Sequence, residues 1–151
     1  MTDNLSKEQR SYAMSRIRSR GNLSTELALI AAMRKTGVSG WRRNSALRGN
    51  PDFVFPKFHV AVFVDGCYWH GCQKCGLAAK SNADYWDKKI ERNRRRDKEN
   101  ARHLREKGWA VVRIWEHDLK EKPMTCIRKV RTAIERQQQT ADSAILTFPN
   151  V

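Results

Sequence analysis

Apolar and polar positions alternate along this chain in two distinct rhythms. Behind Ser24, Leu27, Ile30, Ala31 and Met33 recur at helical spacing and stop at Gly37, which predicts a helix capped at both ends. Glu26 falls in its first turn, where the macrodipole favours a carboxylate. Short apolar runs follow. Trp41-Arg42-Arg43-Asn44 is a candidate strand, Gly49-Asn50-Pro51 is a turn into Asp52-Phe53-Val54-Phe55, and Phe58 to Val64 is apolar enough to be covered on both faces. Helical periodicity returns from about Asn82 to Lys107, where Gly108 stops it. The inward stripe of this charged helix reads Trp86, Ile90, Asn93 or Arg94, Asp97, Asn100 or Ala101, and Leu104. Trp109 to Trp115 is a further buried strand, and Met124 to Gln137 a last helix. Upstream, Ser6-Lys7-Glu8-Gln9 has the spacing of a capping box and predicts a short first helix. The order αα-βββ-α-β-α predicts a three-layer α/β domain, with a central mixed sheet and helices on both faces, over residues 21–137. A basic arm, expected to be mobile, precedes it over 1–20. A polar tail, expected to fray, follows over 138–151.

Charge narrows the partner. The chain has 151 residues, and its 30 Lys and Arg against 16 Asp and Glu leave a formal charge of +14. Such an excess on one small domain points to a polyanion, with nucleic acid ahead of an anionic membrane surface. No apolar run approaches the roughly 20 residues that span a bilayer. The polar N-terminal segment carries no secretory pattern, so a cytoplasmic location is expected.

The cysteines narrow the chemistry. Cys67, Cys72 and Cys75 crowd one loop with Trp69 and His70, while Cys126 lies far off in the last helix. In a reducing compartment such a cluster reads as thiolate ligands of a structural Zn²⁺. His117 is the best candidate for the fourth ligand and Cys126 the second. His70 could also ligate, but it competes as a proton donor or acceptor near neutral pH. Asp52 and Asp65 each stand at the end of an otherwise apolar strand. If the two strands pair antiparallel, register decides whether they meet: a two-residue turn sets residue 52 opposite 61, and a wider loop sets it opposite 64. Only the wider loop brings Asp52 near Asp65 and the Val64 carbonyl, hard oxygens that would suit Mg²⁺. Asn93, Asp97 and Asn100 interrupt the inward stripe of the long helix, which either overlooks a polar site or is simply solvated. Tyr68, Trp69 and Trp86 could wedge between base pairs. Two adjacent rings on one loop cannot both point inward, so at least one should be exposed.

At these residues the chain resembles the very-short-patch-repair (Vsr) DNA mismatch endonucleases. The likeness rests on Arg48-Gly49-Asn50-Pro51-Asp52-Phe53-Val54-Phe55, on Val64-Asp65-Gly66-Cys67-Tyr68-Trp69-His70-Gly71-Cys72, on Tyr85-Trp86 with Lys89-Ile90 and Asn93, and on Gly108-Trp109 with Ile114-Trp115-Glu116. The basic stretch Arg10 to Arg20 and Thr25-Glu26 also fit, and the likeness covers about residues 8 to 135. The resemblance implies a restriction-endonuclease-like fold and a Mg²⁺-dependent nick 5′ to the thymine of a T·G mismatch left by deamination of 5-methylcytosine. It further implies that Asp52 and the Val64 carbonyl hold Mg²⁺, that His70 moves a proton, and that Glu26 and Asp97 are accessory acids. Tyr68, Trp69 and Trp86 would intercalate, Cys67, Cys72, Cys75 and His117 would hold Zn²⁺, and Arg16, Arg18, Arg20 and Asn93 would contact DNA. Some relatives carry a histidine where Asp65 stands, so Asp65 enters as a candidate catalytic or metal-binding acid. The third and fourth zinc positions are often His and Cys, here exchanged as Cys75 and His117. A monomer working at the bacterial nucleoid is expected, with mismatch-repair proteins as candidate partners.

The competing reading is a zinc-stabilised DNA-binding module without catalysis. It leaves unexplained why carboxylates stand at strand ends in so basic a protein, where they repel phosphate unless a cation intervenes. A related nuclease with another target site is the third reading.

Overall fold

The computed structural model describes residues 6–15, 22, 24–76 and 81–146. Arg16, Arg18 and Arg20 lie outside the described residues. The capping box forms as its spacing predicts: the Ser6 N–H donates to Gln9 Oε1 at 2.9 Å and the Gln9 N–H to Ser6 Oγ at 3.1 Å, opening helix α1 (Lys7–Ser15). Helix α2 spans Glu26–Lys35, and its N-cap is Thr25 rather than Ser24. At its end Gly37 turns left-handed (φ 73°), and the Val38 N–H reaches back to the Met33 carbonyl at 2.9 Å.

Three strands form one sheet in the order β1 (Phe53–Phe55), β2 (Val60–Asp65), β3 (Ala110–Trp115), antiparallel between the first two and parallel between the last two. The segment Trp41-Arg42-Arg43-Asn44 is not a strand. It makes a single bridge, Arg42 to Val54, because Asn44 turns left-handed (φ 57°) and ends the pairing. The hairpin register also differs from both expectations. Phe53 pairs with Val62, which sets residue 52 opposite 63. The connection explains this: a 3₁₀ turn, Pro56–Phe58, plus His59 in the left-handed region (φ 50°), is longer than a two-residue turn and shorter than the wide loop.

Strand alternation sorts the core into two layers. Phe53, Phe55, Val60, Val62, Val64, Val112 and Ile114 face α2 and α5 (Pro123–Leu146), where Leu29, Met33, Ile127 and Val130 meet them. Val54, Ala61 and Phe63 face the opposite way, onto Leu104 of α3 (Ala83–Glu106). Helix α4 (Glu116–Glu121) links β3 to α5. Helix α5 runs on past Gln137 to Leu146, beyond the end its sequence predicted. The Gln137 amide there donates to the carbonyls of His59 (3.1 Å) and Gly108 (3.0 Å), fastening the helix where fraying was expected. Among the described residues, no helix is long and apolar enough to cross a membrane.

Candidate active site and metal centre

Parallel pairing brings the ends of β2 and β3 to one edge of the domain, and a cavity of about 710 Å³ opens there, lined by Glu26, Asp52, Val64, Asp65, His70 and Asp97 among others. A larger cavity, about 880 Å³, runs beside β3 and α5, but no Asp, Glu, His or Cys lines it. Chemistry therefore points to the smaller one. Asp52 reaches it from the turn after Pro51, and its Oδ2 accepts the Val64 N–H at 2.7 Å. In a strand the N–H and C=O of one residue point to the same side, so the Val64 carbonyl also opens toward Asp52. Burial, with Glu26 and Asp65 adding repulsion, pushes the Asp52 carboxyl up to about 6 against the pull of the Val64 N–H and His70. A carboxylate so short of compensation suits a hard cation.

Of the polar stripe of α3, Asp97 and Asn100 line this cavity, while Asn93 turns to the Trp69 carbonyl. His70 Nδ1 lies 2.6 Å from Asp97 Oδ2. A carboxylate only accepts, so Nδ1 donates to Asp97 and Nε2 is the ring nitrogen left free to exchange a proton. Burial opposes ionisation of Asp97, but the His70 hydrogen bond and the nearby Arg113 charge hold its carboxyl below the usual range. Asp65, 4% exposed, is gripped by Arg113 through Nε (2.7 Å) and Nη2 (2.5 Å). Glu26 lines the cavity but gives Oε2 to Arg43. Below them Arg48 Nε donates to Asn100 Oδ1 at 3.1 Å. Gly49 (φ 85°) permits that approach, since a Cβ there would stand 3.0 Å from Asn100 Nδ2. Arg113 and Arg43 were not singled out from sequence as site residues, whereas Asn100 was one of the polar positions noted in the α3 stripe. For Arg113 the available signal was a charged residue in the middle of an apolar strand, which needs a partner.

Cys67, Cys72, Cys75 and His117 converge, with all four donor atoms within 4.8 Å of one another. His117 Nδ1 stands 3.3, 3.4 and 3.5 Å from the three sulfurs. Bond lengths of about 2.3 Å to sulfur and 2.0 Å to nitrogen around a tetrahedral ion would put those atoms about 3.5 Å apart. Burial and then the neighbouring sulfurs would push the Cys67 thiol up to about 12, a cost that a divalent cation removes. The other His117 nitrogen, Nε2, meets Asp118 Oδ1 at 3.3 Å, which fixes the ring. Cys126, the second candidate for the fourth position, is fully buried in the α5 core instead. Among the described residues, no second group of three or more His, Cys, Asp or Glu donors converges this closely.

The loop from Gly66 to Gly76 is fastened to α3 through its backbone. Asn93 donates to the Trp69 carbonyl (3.0 Å) and Arg94 to the Gly71 carbonyl (3.2 Å). Tyr68 and Trp69 are each half-buried, where at least one ring was expected to be exposed. They pack edge-on with each other and with Trp86, at centroid distances of 5.2 to 5.8 Å, and Lys89 stands over Trp86 at 4.9 Å. Gly71 is left-handed (φ 63°), and a Cβ would come within 2.6 Å of Ile90 Cγ2. Gly71→Ala should therefore lower stability by about 1–3 kcal/mol. Urea unfolding would check it, and an unchanged midpoint would contradict this packing.

Known proteins share the pattern. A family model described as DNA mismatch endonuclease Vsr matches residues 2–76. The chain is 41% identical over 138 residues to the type II nicking enzyme V.NmeDIP of Neisseria meningitidis serogroup C, spanning 90% of this chain and 93% of that protein. It is 40% identical over 123 residues to the type II nicking enzyme V.XorIIP of Xanthomonas oryzae pv. oryzae, spanning 80% and 89%. With the DNA mismatch endonuclease Vsr of Escherichia coli strain K12 it shares 31% over 118 residues, spanning 77% and 74%.

Proposed function

Because the chain belongs to the Vsr family of DNA mismatch endonucleases, and so is a DNA-cleaving hydrolase rather than a binding module, we propose that it nicks one strand of duplex DNA 5′ to the thymine of a T·G mismatch, using Mg²⁺. The observation that carries this reading is the meeting of Asp52 and His70 in one cavity that Arg96 also lines. We infer a restriction-endonuclease-like domain from the family and from the mixed sheet covered on both faces.

Asp52 and the Val64 carbonyl are the residues that would hold the divalent cation, with Glu26 as a nearby accessory acid. Among the described residues, Asp52 Oδ2 is engaged by the Val64 N–H and Oδ1 has no hydrogen-bond partner. One carboxylate with a carbonyl is a sparse ligand set, and it suits Mg²⁺, which keeps waters and takes substrate phosphate oxygens. When bound, the cation supplies Lewis-acid polarisation of the phosphate and a lower pKa for water. His70 Nε2 then takes or gives the proton, with Asp97 holding the ring by Nδ1. Zn²⁺ is the ion the Cys₃His donor set fits best, and its part is to brace the loop that carries His70.

Recognition falls to the aromatic cluster and the basic face beside it. Tyr68, Trp69 and Trp86 present a partly exposed edge of T-packed rings that could enter an unstacked step, and Lys89, over Trp86, belongs to a groove that Tyr85, Arg92, Asn93, Arg95 and Arg96 also line. Arg16, Arg18 and Arg20 would add phosphate contacts from the arm, and a monomer acting at the nucleoid accords with this reading. The test is a panel of 5-methylcytosine-site duplexes carrying T·G, other mismatches or matched pairs. Nicking of T·G should exceed the rest by about a hundredfold and require added Mg²⁺. Equal cutting of matched sites would instead support a nuclease with a different target.

A further inference from the structure

The centre of β3 holds a group that the proposed chemistry does not use. Arg113 stands opposite Phe63 in the parallel register, on the face of the sheet that meets α3. Its guanidinium lies over the Phe63 ring at 4.8 Å. Asp65, two residues further along β2, projects to the same face, and Arg113 engages both of its oxygens, Nε to Oδ2 (2.7 Å) and Nη2 to Oδ1 (2.5 Å). The same Nη2 lies 3.3 Å from Asp97 Oδ2, the oxygen that meets His70 Nδ1 at 2.6 Å. Asp65 Oδ1 is itself 3.8 Å from His70 Nδ1.

We propose that Arg113 is a positioning residue for the cut: its planar fork, anchored on Asp65, fixes Asp97 and thereby the ring of His70. The inference rests on the reading of His70 as the group that moves a proton. It also assigns Asp65 a part that its position at a strand end left open. With both oxygens committed to a guanidinium, Asp65 serves as the anchor of Arg113 and not as a cation ligand. Energetics favour a functional cause. An ion pair between half-buried Arg113 and buried Asp65 contributes little over packed apolar residues and often less, so the fold alone gives no reason to keep one. A fork can hold two carboxylates in a set orientation, whereas an ammonium offers only a point charge.

The test compares Arg113→Met, Arg113→Lys, the neutral pair Asp65→Asn with Arg113→Met, and His70→Ala alone and combined with Arg113→Met. Single-turnover nicking, duplex affinity and thermal stability are measured for each. Arg113→Met leaves Asp65 buried and unpaired and loses stability for that reason alone. The neutral pair removes that charge, so it should recover the stability but not the rate. Its nicking should remain about 10- to 100-fold slow with duplex affinity within about threefold of the parent. Arg113→Lys should keep the fold and stay slow. In the His70→Ala background, Arg113→Met should cost no further rate, since both changes remove one unit. A neutral pair that nicks at the parent rate while His70→Ala is inactive overturns the positioning role alone. A His70→Ala protein that nicks normally overturns the proton-transfer reading and this role with it.

Discussion

Asp52→Ala should nick mismatch duplex at least about 10³-fold more slowly than the parent and bind it within about threefold, because a factor of that size is about 4 kcal/mol of barrier, within what a divalent cation supplies at a phosphate. Gel-shift titration beside a single-turnover nicking assay separates the two quantities. Loss of binding together with cleavage would remove Asp52 from the cation site. Asp52→Asn adds a second, independent reading. The folded-state carboxyl is raised from 3.8 to about 6, so the folded chain holds its proton more tightly than the unfolded one. That contribution is fully present below about pH 4 and is lost as pH rises through 6, leaving the ionised group destabilising at pH 7. Asparagine can still accept the Val64 N–H but carries no charge. Without divalent cations, Asp52→Asn should therefore be more stable than the parent at pH 7, by on the order of 2 kcal/mol, and the gap should close toward pH 4. Added Mg²⁺ should raise the melting temperature of the parent and not of the variant.

Chelation or Cys72→Ser should have the second largest effect. Binding of a structural ion to three thiolates and an imidazole is folding free energy for the loop it closes. Removing a ligand from this centre should cost at least about 3 kcal/mol, roughly a 10 °C fall in melting temperature for a domain of this length. Nicking should fail with it, since His70 rides on the same loop. Thermal denaturation paired with zinc content by atomic emission checks this. A metal-depleted protein that melts and nicks as before would reduce the four side chains to a buried thiol cluster. Cys126→Ala is the natural control: it opens a small cavity in the core and should leave zinc content unchanged.

The elements whose limits are set locally were legible in the sequence. Ser6 and Gln9 cap α1 as their spacing required, and Gly108 (φ 84°) ends α3 near where the charged periodicity ran out. The inward stripe of α3 was legible too, because a helix presents one face by geometry alone. What depended on neighbours was not. Hairpin register turned on the 3₁₀ turn and left-handed His59, which no apolar pattern encodes. The Trp41 segment has strand-like residues but meets β1 only at Val54. The length of α5 past Gln137 was hidden, because the carbonyls that hold that amide come from His59 and Gly108, far away in the chain. Of the site, the loop cysteines, with His117 as first choice for a fourth donor, could be read from the sequence, whereas for Asp97 the helical stripe left a polar cavity and solvent both open. The Arg113 link could not, because only the parallel register of β2 and β3 sets Arg113 beside Asp65.

One helix carries Trp86, Asn93, Arg94 and Asp97, which respectively meet the ring cluster, the Trp69 carbonyl, the Gly71 carbonyl and His70. Each residue added to a helix turns everything beyond it by about 100°. An insertion or deletion between Trp86 and Asp97 would thus swing the acid away from its imidazole while leaving the rings where they were. Natural drift can reshape the ends of α3, but the stretch between those two side chains is locked in length, and changes of chain length should collect elsewhere.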